Sequence, residues 1–311
     1  MRRFAPWFVL TLMLSGCSVQ KLAVNSLAGA LAEGTAVYSS DEDPELVRDA
    51  MPFGLKTMEM LLVKTPDNPE LLIAACSGFT QYSYAFVETD AFLLEDTSYR
   101  EARRLKERAL KLFLRARGYC FDALRLRDPD LPEALRQDPA AAVLRLGADD
   151  EDLIFWTAAS WGATISHTLD QPQYVAEIPA PRALLKRLEE LDPQYGDGML
   201  AEALLVLAAL PPELGGSEEE ARRYFHRALE LSRGYSVTAY VALARGVAIP
   251  KQNREEFTRL LNDALTIDVD APQARGKRLA NLIAQRRARE YLNRVDEFIL
   301  DDLEETTEES P

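Results

Sequence analysis

The residue types that perform chemistry occur in this chain, but not in working company. Asp149, Asp150, Glu151 and Asp152 form a run of four carboxylates, and closely placed carboxylates are the raw material of general acid–base pairs. Their place at the predicted start of a helix supplies a plainer reason, since a helix N-terminus favours negative charge. Ser160 and Ser166 flank the approach to His167 in "SWGATISH". A hydrolase nucleophile would need a tight, glycine-framed turn between strand and helix, and neither serine has one. "ELGGSEEE", residues 213–220, could cradle an anion at a helix start, but its glutamates oppose that and leave the glycines as turn residues. His167 and His226 lie far apart and no Cys-x-x-Cys occurs, so no metal constellation is expected. Without a phosphate loop or cofactor fingerprint, the expectation is a non-enzyme with no catalytic residue, metal or cofactor.

The chemistry that the sequence does announce is an attachment. Arg2 and Arg3 precede "FAPWFVLTLML", an apolar run ending at Leu14, and "LSGCS" follows. The run is too short for a membrane-spanning helix and has the length of a secretory signal core. Small residues before Cys17 resemble the lipobox of bacterial lipoproteins, in which the cysteine becomes the lipid-modified first residue of the mature chain. That resemblance implies a signal peptide over 1–16, a lipidated segment over 17–38 and Cys17 as the lipid attachment site. An ordinary signal peptide with an incidental cysteine is the alternative. Ser18, standing where some lipoproteins carry an inner-membrane aspartate, tilts the expected location to the outer membrane, facing the periplasm. Acyl chains contribute about 0.8 kcal/mol per buried methylene and anchor a protein without any transmembrane helix.

Composition narrows the partners. The 311-residue chain carries a formal charge of −14; losing Arg2 and Arg3 with the leader makes it more acidic by two charges. Such a protein repels nucleic acid and anionic headgroups. Residues 301–311, "DDLEETTEESP", form an acidic tail expected to be solvated. Cys76 and Cys120 would remain in a compartment that permits disulfides. Both sit in apolar helical patterns, so two small buried hydrophobes are expected in preference to a bridge.

Positioning falls to helices. Tyr99, Ala102, Leu105, Ala109, Leu112, Phe113, Ala116, Tyr119, Cys120 and Ala123 share one face of a helix running to about Leu126. Arg100, Arg103, Arg104, Arg108, Lys111 and Arg115 share the opposite, solvated face. Asn68–Pro69, Ser217 with Glu220, and Asn253 with Glu256 read as helix starts. No segment alternates with period two, so residues 39–300 are expected to form an all-α domain. Ala221, Phe225 and Ala228, then Phe257, Leu261 and Ala264, have the small-large-small spacing of the second helix in a tetratricopeptide repeat. Degenerate repeats of helical pairs are expected, with an irregular bundle as the alternative. In "GFTQYSYAFVE", residues 78–88, Phe79, Tyr82 and Phe86 share a helical face and Tyr84 points elsewhere. The phenylalanines are assigned to the core. Tyr82 and Tyr84, whose hydroxyls need partners when buried, are the candidate lining of a ligand cavity.

One family gathers these pieces. "PELVRDAMPFGLKTMEMLLVKTPDNPELLIAACSGFTQYSYAFVE", "DLIFWTAASWGATIS", "PPELGGSEEEARRYFHRALELSRG", "VAIPKQNREEFTRLLNDALTID" and "RLANLIAQRRAREYL" resemble, in order and spacing, segments of the T-component lipoproteins of tripartite ATP-independent periplasmic (TRAP) transporters. The resemblance implies a tetratricopeptide-like periplasmic lipoprotein that docks the transporter's extracytoplasmic substrate-binding protein and helps to pass an apolar or organic-acid ligand. It also implies a homo-oligomer, with a trimer as one form. An envelope scaffold of the helical-repeat type, without a small-molecule role, is the competing expectation.

Overall fold

The computed structural model of the protein describes residues 35–300. The leader, Cys17 and the acidic tail lie outside the described residues. Every regular element among the described residues is helical, as the sequence pattern demanded. The chain divides into two compact units that meet at Pro193 and Gln194.

In the first unit the helices are α1 (Thr35–Ser39), α2 (Pro44–Leu62), α3 (Pro69–Tyr82), α4 (Thr89–Leu93), α5 (Tyr99–Arg127), α6 (Leu131–Gln137), α7 (Pro139–Ala142), α8 (Glu151–Ser166), α9 (Pro172–Val175) and α10 (Pro179–Leu191). A π-helical turn, Ser83–Glu88, joins α3 to α4 as one continuous rod. The start of α3 follows its residue types: the Asn68 side chain accepts from the Leu71 amide at 2.9 Å, with Pro69 at the first helical position. The carboxylate run does open α8, where Asp150 accepts from the Gly147 amide at 2.9 Å and pairs with Arg127 at 3.2 Å. Those bonds leave it a structural task at the helix start.

Helix α5 is the axis of this unit, packed against α3, α4 and α8. Ala102, Ala109, Ala116 and Ala123 recur every seventh residue along its buried face. Small residues at that spacing admit a neighbouring backbone closely. Ser83 uses the approach to donate its hydroxyl to the Ala109 carbonyl at 3.1 Å. At the same seam Cys76 and Cys120, with Cα atoms 5.5 Å apart, form a disulfide between α3 and α5. The expectation of two separate buried thiols is therefore corrected: both cysteines are buried, and they are bonded. A second correction concerns Tyr99, placed on the apolar face by its spacing but 74% exposed at the first residue of α5, where no neighbouring turn covers it. On the far face Arg103 pairs with Glu107 at 3.2 Å and Arg104 with Glu101 at 2.6 Å, both in solvent.

The second unit contains α11 (Met199–Ala208), α12 (Glu218–Leu231), α13 (Val237–Leu243), α14 (Arg254–Thr266), α15 (Arg278–Asn293) and α16 (Val295–Phe298), with a second π-helical turn, Ala244–Ala248, after α13. Sequence neighbours pack together: α11 on α12, α13 on α14, and α14 on α15. Ala221, Phe225, Ala228, Phe257, Leu261 and Ala264 are all buried, and the Phe225 ring meets the Tyr240 ring edge-on at 5.1 Å. Ser217 and Asn253 cap α12 and α14 through the amides of Glu220 and Glu256. The Glu256 carboxylate is drawn across to α12, where Arg222 grips it at 2.5 and 3.0 Å. That grip, partly offset by burial, holds Glu256 below the usual carboxylate range. The insertion before α12 closes on Gly216, where a Cβ would sit 1.5 Å from the Leu210 carbonyl oxygen; only glycine fits.

The disulfide should carry much of the first unit's stability. Its cysteines are 44 residues apart, and closing a loop of that length in the unfolded chain is worth ~4 kcal/mol by the chain-entropy account. Urea unfolding with and without reductant should show a loss approaching that value. A midpoint unmoved by complete reduction would contradict it.

Candidate functional site

Aromatic residues and arginines converge where α2, the α3–α4 rod and α5 meet. Phe79 lies inside and stacks on Tyr119 of α5 with ring centroids 5.9 Å apart. Tyr82 is 8% exposed and packs against Phe86 at 5.7 Å. Each ring also faces a guanidinium: Arg115 is 5.4 Å from Phe79, Arg108 is 5.9 Å from Tyr82, and Arg48 is 5.3 Å from Phe86. The negative ring face attracts a cation, by roughly 0.5–1 kcal/mol at exposed sites. Arg108 and Arg115 are exposed, as expected of the solvated face of α5. In the structure they cover the ring row with their cationic heads.

Carboxylates fix these cations. Asp90 takes Arg48 in a two-pronged grip, with Nη2 to Oδ1 at 2.7 Å and Nη1 on Oδ2, and the bond to Asp90 raises the Arg48 pKa further. Glu59 accepts from the Tyr119 hydroxyl at 2.7 Å, binds Lys56, and lies 3.5 Å from Arg115. Burial alone would raise its pKa, but the bonds from Lys56 and Tyr119 and the charge of Arg115 bring it below the usual carboxylate range. Burial and the bond to Glu59 push the Tyr119 phenol well up, so it remains a neutral donor.

The two candidate tyrosines are not brought to one surface. Tyr82 faces inward with Phe79 and Phe86, as their shared helical face predicts, whereas Tyr84 is 40% exposed. The π turn lies between Tyr82 and Thr89, and the Thr89 hydroxyl donates to the Tyr84 carbonyl at 3.1 Å. At the end of that turn Glu88 meets Nε2 of His167 at 3.2 Å, and the His167 ring lies 5.4 Å from that of Phe113. His167 is thus held between a carboxylate and a ring.

A second feature escaped sequence reasoning. Helix α2 buries Val47, Met51, Leu55, Met58 and Leu62, yet Leu46, Phe53, Met60 and Val63 stand in solvent, with Phe53 77% exposed. Leu46, Phe53 and Met60 are seven residues apart. At about 100° per residue this spacing aligns them along one side, nearly opposite the buried face. The signal was present in "PELVRDAMPFGLKTMEMLLV" as two apolar stripes on one helix, of which a core needs one. Glu42, Asp43, Glu45 and Asp49 give the upstream end of this row an acidic rim.

Comparisons with known proteins bear on what such a surface serves. The family description "TRAP transporter T-component" matches residues 40–299. An uncharacterized protein of Treponema pallidum (strain Nichols) is 27% identical over 313 residues, spanning 94% of this chain and 96% of that protein. No helix among the described residues is long and apolar enough to cross a membrane. With most of its length matched, the chain belongs to the TRAP transporter T-component family.

Proposed function

We propose that the protein is a lipid-anchored periplasmic accessory of a TRAP transporter that docks the transporter's substrate-binding protein through the exposed row of α2. The observation that carries this reading is Leu46, Phe53 and Met60 standing in water along one side of α2, with Val63 exposed just past its end. Burying a large apolar side chain is worth about 1.5–3 kcal/mol, and such rows mark protein contacts. Family membership supports a partner within a TRAP transporter, and the acidic rim suits an apolar patch bordered by basic residues on that partner. Cys17 tethers the protein to the outer membrane in this reading. Tyr84, exposed at the π turn, contributes to a ligand passage from its outer side, with Tyr82 in the buried ring row behind it. The successive helical pairs act as degenerate tetratricopeptide-like repeats, and self-association as a trimer belongs to the same proposal.

Three measurements test it. Phe53→Glu should leave the melting temperature within the range of surface changes, about 0.5 kcal/mol, while crosslinked capture of the substrate-binding protein, identified by mass spectrometry, falls sharply. Undiminished capture would remove α2 as the docking surface. Cys17→Ala should shift the chain from the membrane to the soluble periplasmic fraction or leave it as unprocessed precursor; a trimmed variant still on the membrane would refute the anchor. Phe79→Ala should cost about 3–5 kcal/mol, as buried phenylalanines do, whereas Tyr84→Ala should stay within about 1 kcal/mol and weaken ligand uptake. Equal destabilisation by the two variants would make Tyr84 ordinary core.

A further inference from the structure

Away from α2 and the ring row, the first unit contains a cluster that packing alone does not require. Glu177, in the short connection between α9 and α10, is the target of three donors from three different helices. Arg117 Nη1 of α5 approaches Oε2 at 3.2 Å, Arg136 Nε of α6 approaches Oε1 at 3.2 Å, and the Trp161 indole N–H of α8 donates to Oε2 at 2.7 Å. Rings wall the group. Arg136 lies 4.9 Å from Phe121 and 5.5 Å from Trp161, Arg117 lies 5.5 Å from Phe121 and 5.8 Å from Tyr174, and Phe121 meets Trp161 edge-on at 4.9 Å.

The charges do not balance inside. Two guanidiniums share the Glu177 carboxylate, and the second acid paired with Arg136, Glu133 at 3.5 Å, is largely in solvent. The Arg117 side chain is only 13% exposed. Burial, resisted by Glu177 and reinforced by Arg136, lowers its pKa. A partly buried ion cluster of this kind is weak evidence for stability, because desolvation opposes the attraction and apolar residues serve as well or better. Planar guanidiniums arranged around a carboxylate are instead the chemistry of carboxylate recognition. The carboxylate in place belongs to a short connection whose only helix, α9, has four residues.

We propose that Arg117, Arg136 and Trp161 form a receptor for the carboxylate of a small monocarboxylic acid with an apolar body, and that Glu177 is its internal occupant, displaced when such an acid binds. The acid's carboxylate takes the three donors that Glu177 releases, and its apolar body lies along Phe121 and Tyr174. The site is separate from α2, so the inference stands or falls independently of the docking role.

The probe is 3-phenylpropionate, with 3-phenylpropionamide as the uncharged control, added to the full-length protein. Calorimetry should find weak binding of the acid to the native protein and none of the amide. Glu177→Gln should bind the acid about tenfold or more tightly, since apparent affinity is reduced by the fraction of receptor already occupied. Adding Arg136→Gln to that variant should remove the gain. A folded Glu177→Gln protein that binds no better than the native one, or that binds acid and amide alike, overturns the proposal. Should that variant fail to fold, the native protein decides alone through its Trp161 indole N–H resonance. A shift with saturating acid and not with amide supports displacement of Glu177; a resonance unmoved by the acid overturns it.

Discussion

The first unit depends on how closely the α3 rod approaches α5. Alanines at every seventh position of α5 remove the side-chain bulk that would hold the helices apart, and the bond between Cys76 and Cys120 then fixes the distance covalently. Other placements follow from that seam. Phe79 can reach Tyr119, Ser83 can reach a backbone carbonyl in mid-helix, and Arg108 and Arg115 come to lie over rings that a wider gap would leave to water. A larger residue at Ala109 or Ala116 would therefore disturb more than local packing, because it would separate each cation from the ring beneath it.

The acidic balance of the protein takes on a different character inside. Several arginines of the first unit bind rings and also carboxylates on other elements: Arg48 with Asp90, Arg115 with Glu59, Arg117 and Arg136 with Glu177. In the second unit Arg222 joins α12 to α14 through Glu256. Guanidinium suits this work because its flat face stacks while its edge binds oxygen, so one side chain can satisfy a ring and a carboxylate together. A lysine in place of Arg48 would keep the charge and lose the two-pronged geometry.

Much of this could be read before any coordinates. The extent of α5, the caps at Asn68, Ser217 and Asn253, the burial of Phe225, and the shared face of Phe79, Tyr82 and Phe86 are all local consequences of spacing and cap chemistry. What could not be read depends on residues distant in sequence. The disulfide needed α3 and α5 to lie side by side in one register, and no spacing reveals that. Glu177 gave no sign of its role, because its partners come from three helices and lie 16, 41 and 60 residues away in the chain. Tyr99 failed for a simpler reason: a helical face is apolar by period even where the fold supplies nothing to cover it. The exposed row of α2 was legible but unread, since one buried stripe already explained the helix.

A helical turn with one residue too many is the trace that a single-residue insertion leaves when both ends of the helix are already tied down. The rod from Pro69 to Leu93 is tied upstream by the bridge at Cys76 and downstream by Asp90 on Arg48 and Glu88 beside His167. Removing one residue from Ser83–Glu88 would restore an ordinary α-turn and leave both sets of ties in register, because the wide turn is what holds the surplus residue. Adding a residue would instead swing one end by about 100° relative to the other, because the widened turn has already absorbed its surplus, and one set of ties would have to break. The rod thus tolerates the loss of a residue at Ser83–Glu88 but not the gain of another, and that turn is where the register between Cys76 and Asp90 is kept.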